Sequence, residues 1–379
     1  MNILLVNWQD VEHPQAGGAE IHLFELFGRL AAAGHRVRLV CSAWAGAPPR
    51  AVVRGIEVHR HGDRLGFAWQ GRGAVRAALR REPADVVVED VNKVPLFLPL
   101  VTRLPFCTLV PHLFGTTAFA EVSWPMAAAV WLAERPLPRV YRRTWFHVIS
   151  ESTRDDLVAR GVAAERIRVI HPGVDSARFT PAGDWRRAPV PSFLYVGRLK
   201  RYKGVQVALE AFARVRAARP DARFDVVGSG DYRAELEARA RALGLGDAVT
   251  FHGYVDEATK LRFLREAWAN VFPSPKEGWG ITVMEAAACG TPSLASDSPG
   301  LRDSVRDGVT GHLVPHGDVA AMAARMLELA GDPARVEALG RAARRHAEAW
   351  SWDDAARATA AHLEAIVAGD ARVAPAGSQ

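Results

Sequence analysis

A chain of 379 residues exceeds what one ordinary hydrophobic core organises, so two domains are expected. With 49% hydrophobic and 24% charged residues the composition is globular, and the longest apolar runs, VPLFLPLV and WPMAAAVWLA, are about half the length of a membrane span. The formal charge of +6 points to anionic ligands or surfaces, or equally to arginines on solvated helix faces. No helix-turn-helix, zinc-finger or RNA-recognition pattern accompanies it, which argues against nucleic acid.

The opening MNILLVNWQD lacks a basic lead and turns acidic within ten residues, against a secretory signal, so a cytoplasmic location is expected. NILLVN, RVRLVC, IEVHR, DVVVED, FCTLVP, FHVIS and IRVIH read as strands alternating with helical patterns, the arrangement of parallel sheets covered by helices. The first helix follows AGGAE; Leu23, Leu26, Phe27 and Leu30 give it one apolar face, and it stops at Gly34. TPAGDWRRAPVP, from Thr180 to Pro191, has neither helical nor strand period and reads as the interdomain linker. Beyond it FLYVG, RFDVVG, VTFHG, NVFPS and PSLAS alternate with helices near VQVALEAFARVRAA, YRAELEARARALG, ATKLRFLREAW and TVMEAAACG. The expected plan is an N-terminal domain over 1–180, a C-terminal domain over 181–350, a helix over 351–369 returning to the first domain, and a fraying tail over 370–379. Cys41, Cys107 and Cys289 stand singly in or beside apolar runs and read as small buried hydrophobes.

In open α/β sheets ligands lie beyond the carboxyl ends of the strands, which makes the residues after each strand a search list. It holds Gly17, Gly18, Asn92, Lys93, His112, Ser150 and Ser152 in the first half, then Arg198, Lys203, Gly228, Gly230, Gly253, Tyr254 and Glu277. In VGRLKRYKG, Arg198 follows a strand and Lys203 stands at a helix entrance, a forked cation and a point cation suited to a diphosphate. The same residues read about equally well as a solvated basic turn. Gly17 and Gly18 open a helix with bare backbone N–H groups that can face an anion. VGSGDYR lacks the third glycine of a dinucleotide fingerprint, which weighs against hydride transfer.

KEGWGITVMEAAACGTP carries two acids, Glu277 and Glu285. Glu277 precedes Gly278-Trp279-Gly280, whose backbone admits a ligand closely, and Trp279 is expected to be exposed. A helix is expected from about Thr282, with Glu285 in its first turn, where it either accepts ligand hydroxyls or folds back as the acid of a Thr-x-x-Glu capping box. STRD, from Ser152 to Asp155, reads as a helix cap. His112 in LVPHLFGTT ends a buried strand, where a lone histidine is more often structural than catalytic. The pair His59 and His61 reads as surface, no Asp-x-Asp occurs, and no His/Cys/Asp cluster has metal spacing.

Taken together, AGGAEIHLFELFGRLAAAGHRV, VISEST, VIHPGVD, YVGRLKRYKG, VVGSGDY, FHGYV, PSPKEGWGITVMEAAACGTPSLAS and GLRDSVRDGVTGHLVPHGD resemble the retaining glycosyltransferases of family 4 over nearly the whole chain. One departure is Asp303, where family members often carry glutamate. The resemblance implies a GT-B fold, two Rossmann-like doubly wound parallel-sheet domains facing across a cleft. It implies a UDP- or GDP-sugar donor held mainly by the second domain, an acceptor held mainly by the first, no further cofactor and no metal. Arg198 and Lys203 would hold the diphosphate, with Gly18 backing it, and Gly17 and Gly228 would be among the residues that bind the nucleotide sugar. Glu277 would contact the donor sugar with Gly278, Trp279, Gly280, Ile281 and Thr282, and Glu285 would bind ribose. Gly253, Tyr254 and Val255 would border the base, and His112 would lie near the transferred sugar.

The reaction so implied is hexosyl transfer to a hydroxyl acceptor with an α-linkage; a sugar-nucleotide epimerase or a glycoside phosphorylase on the same scaffold is the rival. Trp124, Trp131, Tyr141 and Trp145 interspersed with Arg135, Arg139, Arg142 and Arg143 suggest a peripheral contact with an anionic membrane through 124–146, and with it a lipid-linked or cell-envelope acceptor. The same segment reads equally as aromatics packing a core with arginines outside.

Overall fold

The computed structural model describes residues 1–64, 66–117, 119, 123–181 and 186–369. It divides into two compact units, Met1–Gly173 with the terminal segment from Trp352, and Val174–Ser351. The stretch expected to link the domains belongs to the second unit in its described part. Ala188 N donates to Glu266 O at 2.9 Å, and Trp268 Nε1 donates back to Ala188 O at 2.8 Å. Residues 182–185 of that stretch, and the expected tail over 370–379, lie outside the described residues.

The first unit holds an eight-stranded sheet. In chain order its strands are β1 (Asn2–Val6), β2 (Arg36–Ser42), β3 (Arg50–Val53), β4 (Ile56–His61), β5 (Val86–Asp90), β6 (Phe106–Val110), β7 (Trp145–Val148) and β8 (Ile167–Val169). The spatial order is β3-β4-β2-β1-β5-β6-β7-β8, parallel throughout except for β3 against β4. Both faces are covered, which explains why these strands read as continuous apolar runs. Ile3 and Leu5 join the core beneath helices Gly18–Ala32 and Trp352–Ala368, while Leu4 and Val6 join the opposite core with Phe67, Val75 and Tyr141. The terminal helix lies in this unit through Trp352, Ala356, Leu363 and Ile366.

The second unit holds β9 (Ser192–Val196), β10 (Arg223–Val227), β11 (Val249–Gly253), β12 (Ala269–Phe272), β13 (Ser293–Ser296) and β14 (Gly311–Val314), all parallel, in the order β11-β10-β9-β12-β13-β14. Helices Val319–Gly331 and Pro333–Glu348, absent from the sequence reading, bring Met322, Met326, Leu329, Val336 and Leu339 into its core. The order of the parallel strands reverses between β1 and β5 in the first unit and between β9 and β12 in the second, so the loops leaving those strands converge at the carboxyl edge. Among the described residues no helix is long and apolar enough to cross a membrane.

Candidate active site

The loops leaving β9 and β12 bring together two residues that stand 74 apart in sequence. Lys203 ends a 3-10 turn, Arg201–Lys203, and its Nζ donates to Glu277 Oε1 at 2.6 Å. Both side chains are largely buried. Burial works to lower the Lys203 pKa, but the adjacent Glu277 carboxylate and Tyr202 outweigh it and hold it above the ordinary lysine value. The ammonium also faces the rings of Tyr202, at 5.0 Å, and Phe272, at 5.8 Å. Arg198 is exposed just beyond β9; its Nη2 lies 3.3 Å from the Tyr202 hydroxyl, and its carbonyl accepts from Tyr195 Oη at 3.0 Å. Tyr202, unmarked in the sequence reading, therefore stands between the two expected diphosphate ligands.

Helix Ile281–Ala288 begins directly after this loop, with Gly280 as its N-cap in the left-handed region. Its first-turn amides have no intrahelical acceptors, so a positive helix end follows Glu277 closely in the chain. Two expectations are corrected here. Trp279 is only 1% exposed and meets Trp350 edge-on at 5.6 Å, so its indole serves the core while the neighbouring backbone remains at the loop. Glu285 lies one turn deeper than expected and forms no capping box with Thr282. It is buried and accepts from Lys260 Nζ at 3.1 Å. Burial raises the Glu285 pKa despite the opposing charge of Lys260.

Gly228 follows β10 directly, with φ of +131. Its N–H donates to Gly253 O at 2.7 Å, and a Cβ there would fall 1.9 Å from Gly197 O, so it holds the β10 loop against the β9 loop. Tyr254 is 82% exposed and Val255 half-buried beside Gly253.

In the first unit Gly17 is the N-cap of helix Gly18–Ala32, and its N–H is taken by Glu20 Oε2 at 2.7 Å. The anion-facing amide expected there already has a carboxylate from its own helix. Glu20 Oε1 in turn accepts from Lys93 Nζ at 3.3 Å. Sequence reasoning flagged Lys93 but passed over Glu20, whose partner becomes visible only once β5 is placed beside β1. His112 is half-buried after β6, its ring edge-on to Phe114 at 5.2 Å. Ser150, rather than Ser152, caps helix Glu151–Ala159, accepting from Thr153 N at 3.2 Å. Among the described residues no group of three or more His, Cys, Asp or Glu side chains is placed to hold a metal ion.

Two parallel α/β sheets in one chain, each with its polar residues gathered where the strand order reverses, are the architecture of the GT-B fold. Solved structures agree: sucrose-phosphate synthase from Thermosynechococcus elongatus matches with a TM-score of 0.83 at 24% identity, covering 97% of this chain and 99% of that one. HepE from Anabaena, in complex with UDP-glucose, matches with a TM-score of 0.77 at 18% identity, covering 96% of this chain and 100% of that one. The family described as Glycosyltransferase Family 4 matches residues 16–178, and Glycosyl transferases group 1 matches residues 187–346. The D-inositol 3-phosphate glycosyltransferase of Streptomyces avermitilis is 32% identical over 91% of this chain and 82% of its own length. The glycogen synthase of Mycobacterium tuberculosis is 30% identical over 95% and 94% respectively. The chain belongs to the group 1 glycosyl transferases of family 4.

Proposed function

We propose that this enzyme moves a sugar from a UDP- or GDP-sugar to an acceptor hydroxyl with retention of configuration, giving an α-linkage, in the cytoplasm and without a metal. The bond from the anomeric carbon to the diphosphate breaks with its electron pair on the phosphate oxygen. The acceptor oxygen then bonds the same face of that carbon, and its proton passes to the departing diphosphate. The observation that carries this reading is the buried Lys203–Glu277 pair at the strand reversal of the second unit, with Arg198 joined to it through Tyr202.

Negative charge grows on the leaving diphosphate, and a fixed ammonium, a guanidinium and helix N–H groups stabilise it without reorganising. Glu277, released from Lys203 by the incoming diphosphate, accepts from donor-sugar hydroxyls, and Glu285, steadied by Lys260, accepts from the ribose. Within the second unit, Gly253 to Val255 border the base.

A thermal-shift screen across UDP-, GDP-, ADP- and TDP-sugars identifies the donor. Incubation with that donor alone then separates the classes: a transferase releases nucleoside diphosphate slowly by hydrolysis, whereas an epimerase interconverts the donor and a phosphorylase needs added phosphate. Abolition of transfer by a chelator would remove the metal-free mechanism.

A membrane contact through 124–146 is part of the proposal. Helix Trp124–Glu134 exposes Trp124 at 72%, Met126 at 51% and Leu132 at 56%, and Arg135 stands 4.2 Å over the Trp131 ring. Tyr141 does not belong to this surface, being wholly buried with its hydroxyl on Glu89 at 2.8 Å. Co-sedimentation with phosphatidylglycerol vesicles but not phosphatidylcholine vesicles is expected, and the loss of it in Trp124→Ala. Indifference to vesicle charge would retire the contact and the lipid-linked acceptor with it.

A further inference from the structure

Between the two cations of the β9 loop stands a phenol with an uncommitted proton. Arg198 lies just after β9, and Tyr202 follows four positions on, inside the 3-10 turn Arg201–Lys203. Arg198 Nη2 donates to Tyr202 Oη at 3.3 Å, and because a guanidinium accepts nothing, the tyrosine oxygen only receives in that bond. Among the described residues no acceptor takes the Tyr202 hydroxyl proton. The Arg198–Tyr202 bond is exposed, and Tyr202 as a whole is half-buried. Tyr195 gives the contrast: wholly buried, it spends its proton on Arg198 O at 3.0 Å and serves to hold the loop.

The charges around this hydroxyl favour an anion. Lys203 Nζ lies 5.0 Å from the Tyr202 ring and donates to Glu277 Oε1 at 2.6 Å. Arg198 and Lys203 repel one another across the turn. Exposed Arg201 and half-buried Lys276 add positive charge to the same loops, while Lys200 is paired with Asp231 at 2.6 Å. Among so many like charges a neutral O–H adds a directed hydrogen bond without adding repulsion, and a bond from it to an ionised oxygen is of the stronger kind. Glu277 is read above as the acid that holds the donor sugar, so the phosphate nearest the Lys203–Glu277 pair is the terminal one, esterified to that sugar and departing with the nucleotide.

We propose that the Tyr202 hydroxyl donates a hydrogen bond to an oxygen of the terminal phosphate of the nucleoside diphosphate. The inference rests on the donor reading above and deepens it. The proton stays on the phenol, which acts as a fixed neutral donor towards the oxygen where charge grows, alongside Arg198 and Lys203.

Tyr202→Phe deletes the hydroxyl and keeps the ring beside Lys203. Titration calorimetry of the full chain with UDP and UMP, or with GDP and GMP where the donor screen selects guanosine, should show diphosphate affinity about tenfold lower in the variant, the size of one lost hydrogen bond to a charged oxygen. Monophosphate affinity should stay within about twofold of the wild type, because the missing partner is the terminal phosphate. Turnover at saturating donor should also fall about tenfold. A cycle with Arg198→Ala separates contact from positioning. A hydroxyl that merely orients the guanidinium loses its effect once Arg198 is gone, whereas a direct contact gives Tyr202→Phe a comparable loss of kcat/KM in both backgrounds. A loss shared by the monophosphate, no loss for the diphosphate, or an effect that vanishes in Arg198→Ala overturns the inference. The transferase reading fails separately and in the wild type, through donor epimerisation or phosphate dependence, and the nucleotide affinities are measured independently of either.

Discussion

The two strand reversals of this chain share a geometry and differ in chemistry. Each brings a lysine from a loop against a glutamate, Lys203 on Glu277 at 2.6 Å in the second unit and Lys93 on Glu20 at 3.3 Å in the first. Around Lys203 stand Arg198, Tyr202 and the start of a helix, which favour an anion. Around Lys93 stand Asp90 and Asn92, each with a buried side-chain oxygen that accepts no hydrogen bond among the described residues, and the charge of Arg64. Strand order thus sets which loops meet, and the few side chains leaving the strands set the local charge there.

Lys203→Ala tests the difference most severely. If Lys203 faces the departing diphosphate as proposed, its loss removes a cation there, and turnover at saturating donor should fall about a hundred- to a thousandfold. It also strands Glu277 in a largely buried position, and the unfolding free energy in urea should drop by about 3 kcal/mol. Lys93→Met, at the matching place in the first unit, should reduce turnover at saturating donor and acceptor less than tenfold. Equal losses in the two variants would erase the contrast.

Much of this organisation was legible because both faces of each sheet are covered. A strand buried on two sides reads as a nearly continuous apolar run, as ILLV in β1 and VVV in β5 do. β3 escaped notice because it pairs through a turn at Arg54 and Gly55, both with positive φ, and arginine is an unusual residue for that conformation. Trp279 misled for another reason. Flanking glycines mark a mobile-looking loop, yet the indole finds Trp350, which stands 71 positions away in sequence and cannot be foreseen from local pattern. Lys203 and Glu277 were recognisable individually by type and position, whereas their contact, like that of Glu20 with Lys93, follows from strand order.

Glycines sharpen the comparison in terms of stability. Gly228, with φ of +131 and Gly197 O at 1.9 Å from its would-be Cβ, should lose about 3 kcal/mol on substitution by alanine, since backbone must shift and the site loops with it. Gly34, with φ of +92 and nothing within 4 Å, pays only the conformational term, about 1 kcal/mol. Urea denaturation of the two variants checks the order, and donor affinity should fall only in Gly228→Ala.

Acid should act on the first unit through three buried histidines, His22, His147 and His362. Burial lowers all three, to about 3 for His22, about 4 for His362 and well below the ordinary value for His147, with Arg168 adding to the effect at His362. Their folded forms stay neutral while the unfolded chain protonates near 6.5. The stability they contribute is therefore complete above that value and is lost as pH falls towards 4, by about 2 kcal/mol per ring at pH 5. His362→Gln should make the decline in melting temperature between pH 7 and pH 5 shallower. An unchanged slope would mean that these rings do not titrate on unfolding.

Glu285→Gln gives the smallest effect and separates two roles for one residue. The carboxylate is buried against Lys260, and Lys260 keeps a second partner in Glu257 at 3.1 Å, so the substitution strands no charge. Its cost in stability should stay near 1 kcal/mol. If Glu285 also accepts from the ribose, the amide, which is a weaker acceptor, should reduce nucleoside-diphosphate affinity about tenfold while leaving turnover at saturating donor nearly constant. A lower melting temperature with unchanged affinity would make the residue a brace between helices Glu257–Glu266 and Ile281–Ala288, and would confine the donor contacts of this loop to Glu277 and the helix amides.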